Sequence, residues 1–192
     1  MNKEVSKILL SVEGKVLLHC CCAPCSSAIL ECMKANALDV TVFFSNSNIF
    51  PFEEYEIRKR ELIRYCKSMG VEYAEDDYDH EDWLKIVGRG REDCPERGPR
   101  CLECFKYRLK RAAEYGEKQG CKLLTTTLAS SRWKSLEQIN EAGKQAVEGK
   151  QIQWWDMNWR KGGLQERRCE LIKELGFYNQ TFCGCEFSQN LK

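Results

Sequence analysis

The run Lys15-Val16-Leu17-Leu18-His19 passes without a break into Cys20-Cys21-Cys22-Ala23-Pro24-Cys25. That junction constrains the fold more than any other feature. The first part reads as a buried strand. Pro24 suits the first turn of a helix running to about Ala35. The same succession recurs along the chain. Asp39 to Ser45 reads as a second strand, Ser45-Asn46-Ser47-Asn48 as a polar loop, and Glu53 to Met69 as a charged amphipathic helix. A shorter strand over Val71 to Asp79 and a helix near Glu81 to Val87 follow. Gly88 to Arg100, with three Gly and two Pro, is the one loop-like interval. Beyond it come a helix from Cys101 to about Gly120, a strand over Lys122 to Thr127, a helix over Lys134 to Lys150, a strand over Gln151 to Asp156 and a helix over Leu164 to Leu175. Strands alternating with helices predict an α/β, layered Rossmann-like domain with a mostly parallel sheet and flanking helices. A length of 192 residues suits one domain, 1–192, with a sizeable core. Ligands of such sheets bind beyond the carboxyl ends of the strands, which is where the first cysteine run falls, and a metal site is expected there.

Cysteine is the compositional outlier, with 13 in the chain. The count is odd, the spacing is clustered, and the first 15 residues contain no signal-peptide core and no membrane span. These features argue against a disulfide framework and for metal or redox chemistry in a reducing, cytoplasmic setting. Net charge is +1, so no global field points to a nucleic-acid or membrane partner.

Three clusters stand out: Cys20-Cys21-Cys22 with Cys25, Cys101-Leu102-Glu103-Cys104, and Cys183-Gly184-Cys185. Thiolates in short spacings select zinc, copper(I) or iron–sulfur clusters. Cys101 and Cys104 share one face of a helical first turn, where the positive end of the helix dipole is expected to lower the thiol pKa. Cys21 and Cys22, leaving a strand, should point apart, and eight candidate thiols are too many for one four-ligand ion. Two neighbouring centres fit better. The isolated Cys32, Cys66, Cys121 and Cys169 read as small core hydrophobes, and His19 as a satisfied core histidine. Cys94, in a loop, fits either role.

Charge is segregated locally. Residues 72–82 carry seven acids and no Lys or Arg, whereas residues 89–111 carry eight bases and four acids. A basic stretch beside candidate ligands fits a phosphate-bearing substrate, including RNA; a solvated charged face is the alternative. Trp154, Trp155 and Trp159 before Arg160-Lys161 could clamp an unstacked base, or pack in the core.

Read together, these blocks resemble the epoxyqueuosine reductases of the QueH type. The resemblance runs from about Leu17 to Ser188. It is carried by Leu18 to Cys25; Asn46-Ser47-Asn48-Ile49 with Pro51, Glu54-Tyr55 and Arg58; Tyr78-Asp79 with Trp83; Pro95 to Cys104; and Arg108-Leu109. Thr125 to Leu128, Arg160-Lys161-Gly162, and Tyr178-Asn179-Gln180 leading into Phe182 to Cys185 complete it. Ser47 stands where the family commonly has Pro. Cys20 is an extra thiol beside the family's two consecutive cysteines, and Ser130-Ser131-Arg132 replaces a Ser-Pro.

The resemblance implies an oxidoreductase of tRNA modification that converts epoxyqueuosine, at the wobble position of tRNAs with a GUN anticodon, to queuosine. It also implies a 4Fe–4S cluster, an adjacent mononuclear metal (iron is the expectation) and an external low-potential electron donor. The metal ligands carried over are Cys21, Cys22, Cys25, Cys101, Cys104, Cys183 and Cys185, with the cluster held from among Cys21, Cys22, Cys101, Cys104, Cys183 and Cys185. Asp79 could complete a metal's coordination or deliver a proton; it could equally cap the helix that follows it. Arg97, Arg100, Arg108, Arg160 and Lys161 are the candidates for gripping anticodon-loop phosphates.

Two other classes share parts of the pattern. A zinc-stabilised nucleic-acid module would use the same CxxC and CxC groups, but structural zinc usually holds small folds together. A nucleotide-activating thiolation enzyme predicts a glycine-rich phosphate loop, and none follows the first strand.

Overall fold

Five residues of almost purely apolar character, Val16-Leu17-Leu18-His19-Cys20, are what a strand buried on both faces requires. In the computed structural model, which describes residues 10–188, they form β1 (Val16–Cys20), buried at every position. β1 pairs in parallel with β2 (Val40–Phe44) on one side and β4 (Leu123–Thr126) on the other, placing Val16 opposite both Val40 and Leu123. β3 (Glu72–Glu75) extends the sheet beyond β2, and β5 (Gln153–Trp154) beyond β4. The order is β3-β2-β1-β4-β5, all parallel. The expected α/β class is therefore met. The first and last residues of the expected 1–192 domain lie outside the described residues.

The strand order has one reversal. The chain steps outward from β1 to β2 to β3, then returns to β4 on the other side of β1. Loops at such a switch point diverge and leave a crevice beyond the strand ends. Cys21 and Cys22 are the first residues after β1, and Thr127 the first after β4.

Among the described residues six α-helices flank the sheet: α1 (Ala23–Ala35), α2 (Phe52–Met69), α3 (His80–Trp83), α4 (Pro99–Lys118), α5 (Leu136–Ala146) and α6 (Leu164–Leu175). α1 and α4 both carry Pro in the first turn, where its missing N–H costs nothing. α1 packs on α6, and α4 on α5. α3 continues into a π-helical turn over Leu84–Gly88. Among the described residues no helix is long and apolar enough to cross a membrane.

Boundaries differ from expectation where side chains cap or pair. β3 stops at Glu75 because Asp76 turns to accept from Arg111 and from Ser45 Oγ. α5 starts at Leu136 because Ser135 Oγ accepts from Gln138 N at 3.2 Å. The strand expected over Gln151 to Asp156 pairs only at Gln153 and Trp154.

The polar segment Ser45–Asn48 is a loop, as its sequence implies, but it is buried. It acts as a hub beneath the strand ends. Asn46 Nδ2 donates to the Cys20 carbonyl at 2.8 Å, and Arg108 Nε donates to the Ser45 carbonyl at 3.3 Å. His19 is the satisfied core histidine expected, with its ring nitrogens 2.7 Å from Thr126 Oγ1 and 3.0 Å from the Ser45 carbonyl. Burial, helped by the Arg108 charge, lowers its pKa to about 3, so the ring is neutral.

Candidate metal centre

All thirteen cysteines are unbridged in the structure. Cys22 takes the N-cap position of α1 in extended conformation, yet its side chain makes no cap hydrogen bond. Its sulfur is free for other partners. The sulfurs of Cys21, Cys22 and Cys25 all lie within 4.8 Å of one another; Cys21 and Cys22 are 3.7 Å apart and do not diverge as expected, because the chain turns into α1 at Cys22. Hydrogen bonds from the Cys22 and Cys25 thiols hold the Cys21 pKa well below that of an ordinary thiol. Burial pushes Cys22 upward, and hydrogen bonding with Cys21 takes Cys25 to about 11. Thr127, from the neighbouring strand end, braces the trio by accepting from Cys21 N at 3.2 Å and meeting its sulfur at 3.5 Å.

The other two groups face the same space. A cavity of about 660 Å³ is lined by Cys21, Cys25, Cys101, Cys104, Cys183 and Cys185. The seventh expected ligand, Cys22, is tied to it through Gln180, which lines the cavity and donates to Cys22 Sγ at 2.7 Å. The helix dipole does not govern Cys101 and Cys104 as expected. Burial raises Cys104 and takes Cys101 to about 11, although Arg97 N donates to Cys101 Sγ. Cys185 is pushed to about 12, again by burial. Desolvation outweighs the dipole here, so these thiols ionise readily only with a cation to share the charge.

The third group depends on long-range anchors. Arg58 donates to the carbonyls of Cys183 (3.1 Å) and Phe182 (3.3 Å), and its guanidinium sits 5.1 Å from the Phe182 ring. Farther on, His80 pairs with Glu186 at 3.0 Å, and Arg100 sits over Phe187 at 4.7 Å. Gly184 makes the turn between the two cysteines with φ +105. A Cβ there would meet Arg58 Nη1 and Ile49 Cγ1 at 3.0 Å. Gly184→Ala is therefore expected to cost about 1–3 kcal/mol and to lower metal retention, measured by urea unfolding and by metal content after desalting.

The donor set fits thiolate-bound metal. The cavity has a second mark of an unfilled role. Arg160 Nε and Gln180 Oε1 are buried without hydrogen-bond partners, and both residues line it. Buried polar atoms are rarely left without a partner. Trp83 lies close enough to Cys104 for its indole N–H to favour the thiolate.

Comparison with known proteins decides the family. The family model described as Epoxyqueuosine reductase QueH matches residues 16–191. The chain belongs to the QueH family of epoxyqueuosine reductases. A Histophilus somni protein of that name is 45% identical over 91% of this chain and 72% of its own length. Another, from Acinetobacter baylyi, is 43% identical over 98% of this chain and 87% of its own. One from Thermotoga maritima is 36% identical, covering 91% and 90%. Membership makes the chain an oxidoreductase.

Other residues expected to serve a QueH site divide into two sets. Arg97, Arg100, Arg108 and Arg160 line the cavity, whereas Asp79 and Lys161 do not. Asp79 instead caps α3, its Oδ1 accepting from Asp82 N at 2.9 Å. Arg100 and Arg108 are buried. Arg100 donates to the carbonyls of Arg91 and Glu92, and Arg108 to Ser45 and Asn46. Both guanidiniums thus hold parts of the fold together, and a grip on phosphates is left to the proposal below. Of the two readings of Trp154, Trp155 and Trp159, the structure shows core packing. Trp159 is fully buried and donates to Thr125 Oγ1, Trp155 packs edge-on against it, and Trp154 lies over Gly143.

Cys32, Cys66 and Cys121 are core residues, as expected, and so is Cys20, which lies outside the thiol trio. Cys169 is not: it is exposed and lines the cavity. Sequence reasoning also passed over Lys134. Burial opposes its ammonium charge, but Cys183, Cys21 and Cys25 hold its pKa above the ordinary lysine value.

Proposed function

We propose that this chain reduces epoxyqueuosine at the wobble position of GUN-anticodon tRNA to queuosine, holding a 4Fe–4S cluster and an adjacent metal ion on its clustered cysteines. One observation carries the reading: three cysteine groups, far apart in sequence, face one electropositive cavity in a chain of this family. Eight Arg or Lys residues line that cavity against two Glu, which suits a polyanionic substrate.

The reaction adds two electrons and two protons to the epoxide, breaks both of its C–O bonds and releases water as the alkene forms. A low-potential cluster, refilled by an external donor, supplies single electrons, and an adjacent metal supplies a Lewis acid. Seven thiols, Cys21, Cys22, Cys25, Cys101, Cys104, Cys183 and Cys185, exceed what one four-ligand centre takes and support two centres. Lys134 keeps a positive charge beside Cys21, Cys25 and Cys183, where it can stabilise negative charge developing on the departing oxygen. Arg97, Arg100, Arg108 and Arg160, which line the cavity, and Lys161 are the candidates for the anticodon-loop phosphates. Asp79, capping α3, is left with a structural part in this mechanism.

The test is anaerobic incubation of iron-loaded protein with a strong one-electron reductant and tRNA carrying the epoxide. Mass spectrometry of the digested nucleosides should show the modified base lighter by one oxygen. Unchanged substrate with fully loaded protein would refute the assignment.

A further inference from the structure

A tryptophan set in solvent beside a reaction cavity costs apolar exposure that folding alone does not reward. Trp133 is 66% exposed, the most exposed large hydrophobic side chain among the described residues, and it lines the same cavity as the cysteines. The Arg132 guanidinium lies 5.0 Å from its ring centroid.

The segment that carries this pair is strapped down. Arg97 donates to the carbonyls of Trp133 (2.9 Å) and Arg132 (3.0 Å), and Arg160 donates to the next carbonyl, Lys134, at 2.8 Å. Arg97 itself has φ +65, outside the usual range for a side chain with a Cβ. Gln138 holds it there by donating to its carbonyl at 2.9 Å. The Arg97 N–H also donates to Cys101 Sγ, so the segment is connected directly to a candidate metal ligand. Three consecutive carbonyls bound by two guanidiniums make a rigid shelf of what would otherwise be a mobile loop.

We propose that Trp133 and Arg132 form a stacking platform for an unstacked RNA base that flanks the reacting nucleoside. The proposal rests on the tRNA reading above and adds to it. A base attacked inside a cavity must leave its stack, and its neighbours then need a surface in its place. Aromatic rings backed by arginine supply that surface without demanding a sequence. Arg97, Arg132, Lys134 and Arg160 surround the ring with positive charge, which favours a nucleic acid over an apolar protein partner.

The experiment measures binding of a fluorescently labelled, unmodified anticodon stem-loop RNA to the iron-loaded protein. The RNA is used intact or made abasic at either nucleotide flanking the wobble position. Trp133→Ala should weaken binding of the intact RNA about 10- to 100-fold, while Trp133→Phe should keep most of it. One abasic RNA should bind the wild type weakly, yet lose nothing further against Trp133→Ala. Equal affinity of Trp133→Ala and wild type overturns the platform, as does an abasic loss that persists in full in the variant. Wild-type dimerisation abolished by Trp133→Ala, with RNA affinity unchanged, would overturn it in favour of a protein interface. Failure to reduce epoxide-bearing tRNA would remove the reaction but leave abasic-dependent RNA affinity standing. The two claims therefore fail separately.

Discussion

Cys101→Ala, purified without oxygen, should lose bound iron and turnover together, while Cys20→Ala keeps both. The two sites differ in surroundings rather than chemistry. Cys20 ends β1 inside the apolar core and is not one of the Cys21, Cys22 and Cys25 trio. Truncating it removes one sulfur's worth of packing, about 1 kcal/mol. Cys101 lines the cavity beside Cys104 and Cys183, and its sulfur takes a backbone hydrogen bond from Arg97. Losing an outer-shell partner of a metal site typically costs about 10–100-fold in metal affinity or activity, and loss of a ligand should exceed that. Iron analysis and single-turnover assays on the same preparations check the pairing. Iron retained at the wild-type level in Cys101→Ala would remove that residue from the centre.

Arg58→Ala should produce the largest loss of stability. Arg58 is 2% exposed and pairs with the buried Glu54 at 2.6 Å. Truncation leaves that carboxylate with only the Tyr178 hydroxyl as a side-chain donor, a situation that costs about 3–5 kcal/mol. It also frees the carbonyls of Phe182 and Cys183. At about 2–4 °C per kcal/mol for a chain of this length, the melting temperature should fall by about 10 °C. Iron affinity should fall with it, because the Cys183–Cys185 turn loses its anchor. Arg58→Lys should lie between, since an ammonium restores charge but not the planar fork. A melting temperature within a degree of wild type in Arg58→Ala would mean that the tail is held by other contacts.

The strand–helix alternation was legible because hydrophobic period is a local property. α6 spans the Leu164 to Leu175 read from the sequence, and β1 differs from its expected run by one residue at each end. The convergence of the cysteines was legible through their clustering at strand ends and helix starts and through the resemblance to the QueH family. What stayed hidden depends on partners distant in sequence. Arg108 reads as a surface cation on a basic helix, and is buried because its acceptors lie more than sixty positions away at Ser45 and Asn46. Cys169 sits in an amphipathic helix, and only the placement of α6 against α1 turns it toward the cavity rim. Trp133 carries no local sign of exposure. Its place follows from Arg97 and Arg160 holding the carbonyls on either side of it.

The central claim is that sulfurs from the beginning, middle and end of the chain hold iron together. Iron, zinc and acid-labile sulfide should be counted per chain after anaerobic reconstitution with iron and sulfide. A 4Fe–4S cluster beside one iron predicts about five iron atoms and about four sulfides per chain. Protein that takes up about one zinc, with neither iron nor sulfide, would contradict it.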